Sequence, residues 1–209
     1  MIKDSYLTIA EPTIGEFKDR GSKFWAYSQA VFSQEDIKDF VDLIKKEHPK
    51  ARHHCYAYRL GLDKNNFRAN DDGEPSGTAG RPILGQIDSF GLTNVMIIVV
   101  RYFGGTKLGV PGLINAYKTS TIDALEQAKV IEKIVENKYE ITFDYGFMSD
   151  VMGFLKKNDL TIQERTFEEK ATLTIAIRKS EADQKLQALE DTVNPYGQLE
   201  ESPITVKLI

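Results

Sequence analysis

Apolar residues in the first two thirds of the chain follow two different spacings, which predict a mixture of strands and helices. Apolar positions at three- and four-residue intervals predict helices over residues 34–48 and 112–128. The unbroken apolar run of residues 95–100 predicts a central strand that is covered on both faces. The strands predicted for this part of the chain cover residues 8–10, 24–32, 53–60, 67–69 and 95–100.

Local signals define both ends of the first predicted helix. Ser33 precedes the helix and Asp36 follows three positions later, which is a variant of the capping box that satisfies free N–H groups at a helix start. Pro49 cannot continue a helix, because it lacks an N–H and its ring clashes with the preceding turn. The helix is therefore predicted to end before Pro49.

The last third of the chain shows a different order of elements. Strands are predicted over residues 139–143, 160–164, 171–177 and 203–209, with one helix over 148–157 and a second that Ser180 caps. The order β-α-β-β-α-β within about 70 residues is the split βαβ, ferredoxin-like plan. We therefore predict an α+β protein with two domains, residues 1–135 and 136–209.

Composition predicts a soluble cytoplasmic protein. Of the 209 residues, 41% are hydrophobic and 28% are charged, which is ordinary for a globular protein with a real core. No apolar stretch approaches the roughly 20 residues that span a bilayer. The first residues lack the basic start and apolar core of a signal peptide. The one cysteine, Cys55, cannot form an internal disulfide, which suits a reducing cytosol.

Charge is unevenly distributed along the chain. The net charge is −4, so the protein as a whole does not attract polyanions strongly. Residues 50–118 nevertheless hold 9 basic side chains against 5 acidic ones, whereas residues 137–209 hold 9 against 13. This distribution fits either a basic functional surface in the central segment or a random scatter of charges.

Two glycine-dense segments, residues 71–82 and 101–112, flank the predicted central strand. Glycine is used where the backbone needs a positive φ or approaches another group closely, and both segments also carry Arg or Lys. The second segment leads through Pro111 into the helix predicted from Gly112, whose free N–H groups and positive dipole end would point into the loop. We therefore predict an anion-binding or nucleic-acid-binding site. The candidate binding residues are Arg81, Arg101, Gly104, Gly105, Lys107 and Gly109, with a supporting polar loop of His53, Asp71, Asp72, Glu74, Ser76 and Thr78.

Other roles compete for several of these residues. Arg101 either binds phosphate through its planar guanidinium fork or pairs internally with an acidic residue of the first loop. Those carboxylates offer the hard oxygen ligands that suit Mg²⁺, yet Asp-Asp-Gly is also ordinary turn chemistry. Tyr102, Phe103 and Tyr117 are candidates for stacking on bases, although aromatic residues at strand ends more often belong to a core.

Metal and nucleophile chemistry receive little support from the sequence. His53 and Cys55 share a face of their predicted strand, but two ligands do not make a zinc site, so we predict no metal. Ser76 and Thr78 have no assignable base partner, which argues against a catalytic nucleophile.

Longer motifs carry a family resemblance. Residues 71–80 read Asp-Asp-Gly-Glu-Pro-Ser-Gly-Thr-Ala-Gly, and residues 101–109 contain Arg-Tyr-Phe-Gly-Gly and then Leu-Gly. Together with His-Cys-Tyr-Ala-Tyr-Arg at 54–59 and Gly-Ser-Lys-Phe at 21–24, they closely resemble the IMPACT/YigZ family. The resemblance covers essentially the whole chain. One departure is Val-Pro-Gly-Leu at 110–113, where relatives usually have Thr-Gly-Gly-Leu, and its proline lacks an N–H that could bind an anion.

The resemblance implies a fold and a role in translation. The N-terminal domain should resemble domain 2 of ribosomal protein S5, and the C-terminal domain should be similar to the RNA-facing ferredoxin-like domains of the translocase elongation factor. Eukaryotic relatives regulate translation by competing for the activator of an initiation-factor kinase. They use an extra N-terminal module that is not found in this sequence, so that specific role is not expected here.

We therefore expect a translation-associated regulator without catalysis. It should bind RNA, the ribosome or a translation factor through a basic glycine-rich surface, and it should need no cofactor and no membrane. The alternative is a small-molecule phosphate- or nucleotide-binding protein or a phosphotransferase, because the expected S5-like fold is shared with small-metabolite kinases whose glycine loop also opens a helix. A module that only binds other proteins is a third alternative.

Overall fold

The structure is a computed structural model that describes residues 4–63, 65–195 and 202–209. It has an α+β fold whose contacts divide the chain into two compact units. Among the described residues, 6–63 and 65–133 form the N-terminal unit, and residues 134–195 and 202–209 together with residues 4 and 5 form the C-terminal unit. The sequence predicts a domain limit two residues later, and nothing in the sequence indicates that residues 4 and 5 belong to the C-terminal unit.

The N-terminal unit is built on an antiparallel sheet. In chain order its elements are β1 (Ser5–Ile9), β2 (Thr13–Asp19), β3 (Ser22–Ala30), α1 (Gln34–Glu47), β4 (His53–Leu60), β5 (Asn66–Asn70), α2 (Gly80–Ser89), β6 (Val95–Tyr102), α3 (Gly109–Glu126) and β7 (Val130–Ile134). The main sheet has the strand order β2-β3-β6-β4-β5, and β1 pairs separately with β7. The central strand β6 is buried from Val95 to Arg101, which confirms the prediction that both of its faces are covered.

Two cores lie on opposite faces of this sheet. On one face α1 packs through Ile37, Phe40 and Ile44 against alternate residues of β6. On the other face α2 and α3 pack against the remaining residues of β6 and against Phe24. The capping box of α1 is confirmed, because Ser33 Oγ accepts the N–H of Asp36 at 3.0 Å.

The C-terminal unit contains β8 (Glu136–Phe143), a short 3-10 turn (Tyr145–Phe147), α4 (Met148–Lys157), β9 (Ile162–Phe167), β10 (Ala171–Arg178), α5 (Ala182–Val193) and β11 (Ile204–Leu208). Its strands pair in the order β11-β8-β10-β9, all antiparallel. Both helices contribute to one core with alternate residues of β8 and β10, such as Ile141 and Leu173. In both units, no described helix is long and apolar enough to cross a membrane.

Several elements differ from their predictions. Helix α2 is absent from the predicted elements, because Gly80 and Pro82 in its first turn resemble a loop. Strands β2 and β7 are absent from the predicted strands. Helix α3 begins at Gly109 rather than Gly112, since a proline in the first helical turn removes only an N–H that lacks an intrahelical partner.

The predicted cap at Ser180 is wrong. Glu181 is the N-cap of α5 and makes no side-chain capping bond. The Ser180 hydroxyl instead donates to the carboxylate of Asp4, which is also paired with Arg178 at 2.7 Å. Hydrogen bonds from Arg178 and Ser180 hold the pKa of Asp4 well below its usual range. A serine ahead of a helix therefore serves here to hold Asp4 within the C-terminal unit.

Candidate anion-binding site

The first glycine loop is folded around its own carboxylate. Asp71 accepts backbone N–H groups from Gly77, Ala79 and Gly80 at 2.8 to 2.9 Å. Burial would raise the pKa of Asp71, but these hydrogen bonds and the charge of Arg81 outweigh it and lower the pKa below its usual value. The N-terminus of α2, which in isolation would attract an anion, is therefore already occupied by an internal one.

Asp72 ties the same loop to strand β4. Its carboxylate accepts the backbone N–H of His54 at 2.7 Å, and its carbonyl oxygen lies 2.9 Å from Nδ1 of His53. Burial lowers the pKa of His54 below its ordinary value, although the nearby charge of Asp72 opposes that shift. His53 and His54 are thus held by the loop, and Asp72 is used to position them.

Glu74 and Arg101 form a buried ion pair. Arg101 Nη1 donates to Glu74 Oε1 at 2.5 Å, and only 7% and 4% of the two side chains are exposed. The same carboxylate oxygen accepts the hydroxyl of Tyr117 at 2.9 Å. The sequence leaves open whether Arg101 pairs internally, and the structure shows that it pairs with Glu74. Within the described residues, Arg101 Nε is buried without a hydrogen-bond partner.

The Cys55 thiol contacts Tyr117, the residue whose hydroxyl donates to Glu74 of this pair. Cys55 Sγ is 3.2 Å from the Tyr117 hydroxyl and 2.9 Å from the carbonyl oxygen of Asp71. Burial raises the pKa of the Cys55 thiol and of Tyr117 well above their usual values. Both groups therefore stay protonated at neutral pH, and Cys55 has the character of a core residue rather than a reactive thiolate.

The second glycine loop joins β6 to α3 and packs tightly on the β2–β3 turn. A Cβ at Gly104 would lie 1.9 Å from the carbonyl carbon of Gly21, so no side chain fits there. The N–H of Gly104 donates to Ser22 Oγ at 3.1 Å and is therefore used internally. Gly105 follows with φ of +90°, a conformation that favours glycine. Packing and backbone geometry thus account for both glycines.

A first cleft, the helix cleft, lies at the start of α3 and has a volume of about 350 Å³. The helix begins without a side-chain cap, so its first N–H groups are not satisfied by a capping side chain. The exposed Lys107 adds a positive charge, while Glu74 offsets that of Arg101. The helix cleft is lined by Glu74, Pro75, Arg101, Phe103, Lys107, Leu108, Gly109, Val110 and Leu113.

A second cleft, the basic cleft, lies where the start of β4 meets the end of β6 and has a volume of about 340 Å³. Its position follows from the register, because His53 pairs with Arg101 across the two antiparallel strands. No carboxylate belongs to its lining, and both Lys50 and Arg52 are exposed. The basic cleft is lined by Lys50, Arg52, His53, Arg101, Tyr102 and Phe103.

The predicted candidates are only partly brought together. Glu74, Arg101, Lys107 and Gly109 meet at the helix cleft, and His53 joins Arg101 at the basic cleft. Candidates that line neither cleft are Arg81, Gly104, Gly105, Asp71, Asp72, Ser76 and Thr78.

The polar candidates of the first loop have internal or unassigned roles. Arg81 lies in the first turn of α2 beside Asp71, and Ser76 is exposed. The Thr78 hydroxyl donates to the carbonyl oxygen of Pro75 at 2.7 Å. Among the described residues, no group of three His, Cys, Asp or Glu side chains is arranged to hold a metal ion.

Lys50 and Arg52 are absent from the candidates predicted from sequence. They are counted there only among the nine basic residues of 50–118, a set whose member Lys64 lies outside the described residues. The signal that could have found them is the pairing of adjacent antiparallel strands, which places the residues before β4 beside those that end β6.

The family model and the bacterial relatives that match this chain carry the same family name. The family model described as Impact N-terminal domain matches residues 20–125. IMPACT family member YvyE of Bacillus subtilis (strain 168) is 30% identical over 201 residues, which cover 96% of this chain and 93% of YvyE. IMPACT family member YigZ of Escherichia coli (strain K12) is 32% identical over 176 residues, which cover 83% and 86% of the two chains.

Two further comparisons concern a eukaryotic relative and a solved structure. A protein IMPACT homolog of Saccharomyces cerevisiae is 35% identical over 96 residues, which cover 44% of this chain and 36% of the yeast protein. A crystal structure described as that of an hypothetical protein is 29% identical, covers 100% of this chain and 98% of its own, and superposes with a TM-score of 0.70. The similarity to that structure and to the bacterial relatives thus extends over most of the chain.

Proposed function

The chain belongs to the IMPACT family, and we propose that it is a translation-associated regulator that binds RNA through the basic cleft. The translational part of this proposal rests on the family, whose eukaryotic members the motif resemblance identifies as regulators of translation. The RNA-binding part rests on one observation, namely that the basic cleft combines exposed cations with aromatic rings and has no carboxylate in its lining. We also infer that the protein acts in the cytoplasm and without catalysis.

Charge supports the basic cleft as the part that contacts RNA. Lys50 and Arg52 are exposed, so each can neutralise a phosphate and release its counterions. Arg101 adds little net charge because Glu74 pairs with it, but it is part of the lining of both clefts. The segment of residues 137–209 holds 9 basic against 13 acidic side chains, so phosphate contacts are expected mainly on the N-terminal unit.

The strand order supports the domain types that the resemblance implies. We infer that the C-terminal unit is ferredoxin-like, because its elements follow the order β-α-β-β-α-β and its sheet runs β11-β8-β10-β9. We infer an S5-like N-terminal unit from the family resemblance. Fold alone does not establish function, so the RNA proposal depends on the cleft and its charges.

Replacing Lys50 and Arg52 together with alanine should weaken RNA binding by about tenfold or more and reduce the salt dependence of binding. The reason is that two phosphate contacts would be lost, so the slope of log K against log salt should fall by about 1 to 2. Fluorescence polarisation with a labelled RNA hairpin that carries a single-stranded tail, titrated from low to moderate salt, measures both effects.

The matched control removes two exposed lysines from the same unit, Lys118 and Lys129, which lie outside both clefts. This variant should bind the RNA as the natural chain does. Equal weakening in both double variants would show only a general effect of net charge, and unchanged binding after loss of Lys50 and Arg52 would contradict the proposal. If a ribosomal protein or translation factor bound the natural chain and the RNA did not, that result would also contradict it.

The helix cleft supports a second candidate function, the binding of a small phosphorylated molecule. The start of α3 has no side-chain cap, and the buried Arg101 that lines this cleft has an Nε atom without a partner among the described residues. Thermal-shift measurements with inorganic phosphate and with nucleotides plus Mg²⁺ test this function. A rise in Tm that Lys107→Ala abolishes is the expected result, and no rise across the panel would contradict it.

A further inference from the structure

We propose that the ligand of the basic cleft is single-stranded RNA with an unpaired base, and that this base stacks on the ring of Phe103. This inference rests on the proposed function and specifies its substrate class. Phe103 is 56% exposed and borders both the basic cleft and the helix cleft. Its ring is therefore the apolar surface that a base would meet beside the cations Lys50 and Arg52.

The backbone around Phe103 is held in place before any ligand binds. The preceding residue, Tyr102, pairs with Lys23 in the main sheet. The following residue, Gly104, lies directly against Gly21 and donates its N–H to Ser22. A ring on such a fixed backbone loses little conformational freedom when a base stacks on it, which favours binding.

The guanidinium of Arg101 lies beneath this ring. Its central carbon is 5.6 Å from the centroid of Phe103 and 5.4 Å from that of Phe24, and the ion pair with Glu74 holds it there. Exposed aromatic rings occur elsewhere in the chain, so exposure alone does not identify a site. Phe67, for example, is 52% exposed and has Arg59 over its ring at 4.9 Å, but it lines neither cleft.

Stacking on Phe103 requires a base that is free of a partner. In a duplex each base is already stacked and paired, whereas single strands and loops present bases that stack on aromatic side chains. Lys50 and Arg52 would contact the phosphates beside such a base. The combination predicts a preference for single strands over duplex and little preference for base identity, because every base has a stacking face.

The test compares a short single-stranded RNA with a duplex of the same sequence by fluorescence polarisation. The natural chain should bind the single strand about tenfold more tightly than the duplex. Phe103→Leu, which keeps an apolar side chain but removes the ring, should lose about tenfold in affinity for the single strand. Phe103→Trp should retain that affinity, and the matched control Phe67→Leu should have no effect.

The outcomes separate this inference from the function on which it rests. If Phe103→Leu binds the single strand as the natural chain does, or if duplex binds equally well, base stacking on Phe103 is overturned. In that case, weakening by the alanine variant of Lys50 and Arg52 would still support RNA binding at the basic cleft. If neither RNA binds the natural chain, the RNA function itself fails and this inference fails with it.

Discussion

Replacing Glu74 with alanine should destabilise the N-terminal unit by about 3–5 kcal/mol, which is the usual cost of removing one partner of a buried ion pair. The substitution leaves the guanidinium of Arg101 buried without its counter-charge and leaves the buried Tyr117 hydroxyl without its acceptor. Urea unfolding followed by the fluorescence of Trp25, the chain's one tryptophan, reports on this unit.

Two further variants show whether the large cost of Glu74→Ala arises because its pair with Arg101 is buried. Asp88→Ala removes the carboxylate of a pair with Arg59 in which the side chain of Asp88 is 42% exposed and that of Arg59 is 12% exposed. Because water reaches this carboxylate, the substitution should cost less than Glu74→Ala, about 1–2 kcal/mol. A double variant, Glu74→Met with Arg101→Met, should be far more stable than the sum of the single effects, because no unpaired charge remains. A cost for Glu74→Ala similar to that of Asp88→Ala would contradict the role assigned to the buried pair.

This pair also shows how the two clefts are organised. Arg101 lies at the end of the central strand, and its partner Glu74 comes from the other glycine loop. Because the pair is buried, the two loops are tied together without the help of a ligand. The cations that remain exposed at the clefts are Lys50, Arg52 and Lys107, and these provide the net positive charge for an anionic ligand.

The parts of the fold that the sequence predicts well have strong local signals. Helix α1 has an amphipathic pattern and a capping box, and strand β6 has a continuous apolar run. Both signals depend on the side chains of the element itself. Helix α2 escapes prediction because its start is stabilised from outside, by the carboxylate of Asp71 nine residues before Gly80. No pattern within residues 80–89 contains that information.

The site is harder to predict than the fold for a related reason. The glycine loops are recognisable as unusual, but the need for glycine at Gly104 comes from close contact with Gly21, which is far away in sequence. A high number of glycines in a loop does not by itself distinguish glycines that bind a ligand from glycines that allow close packing. Likewise Lys50 and Arg52 carry no motif, and only the pairing of β4 with β6 brings them beside Arg101.

Replacing Asp71 with alanine should destabilise the N-terminal unit by about 3 kcal/mol, because hydrogen bonds to a charged acceptor contribute more than neutral ones. The variant would leave the N–H groups of Gly77, Ala79 and Gly80 without their acceptor and would remove a negative charge from the start of α2. Urea unfolding should show a lower midpoint with a similar slope. Asp42→Ala, which removes an exposed carboxylate from α1, is the matched control and should change stability little.

The effect of Asp71→Ala should also depend on pH in a defined direction. The pKa of Asp71 in the folded protein lies below its usual value, so the folded state favours the carboxylate. Its contribution is fully present above the unfolded pKa of about 3.9 and is lost as the pH falls through the lower folded value. The stability difference between the natural chain and Asp71→Ala should therefore be constant from neutral pH down to about pH 5 and should narrow below about pH 4. A difference that stays constant through that acidic range would show that the Asp71 side chain acts without its charge.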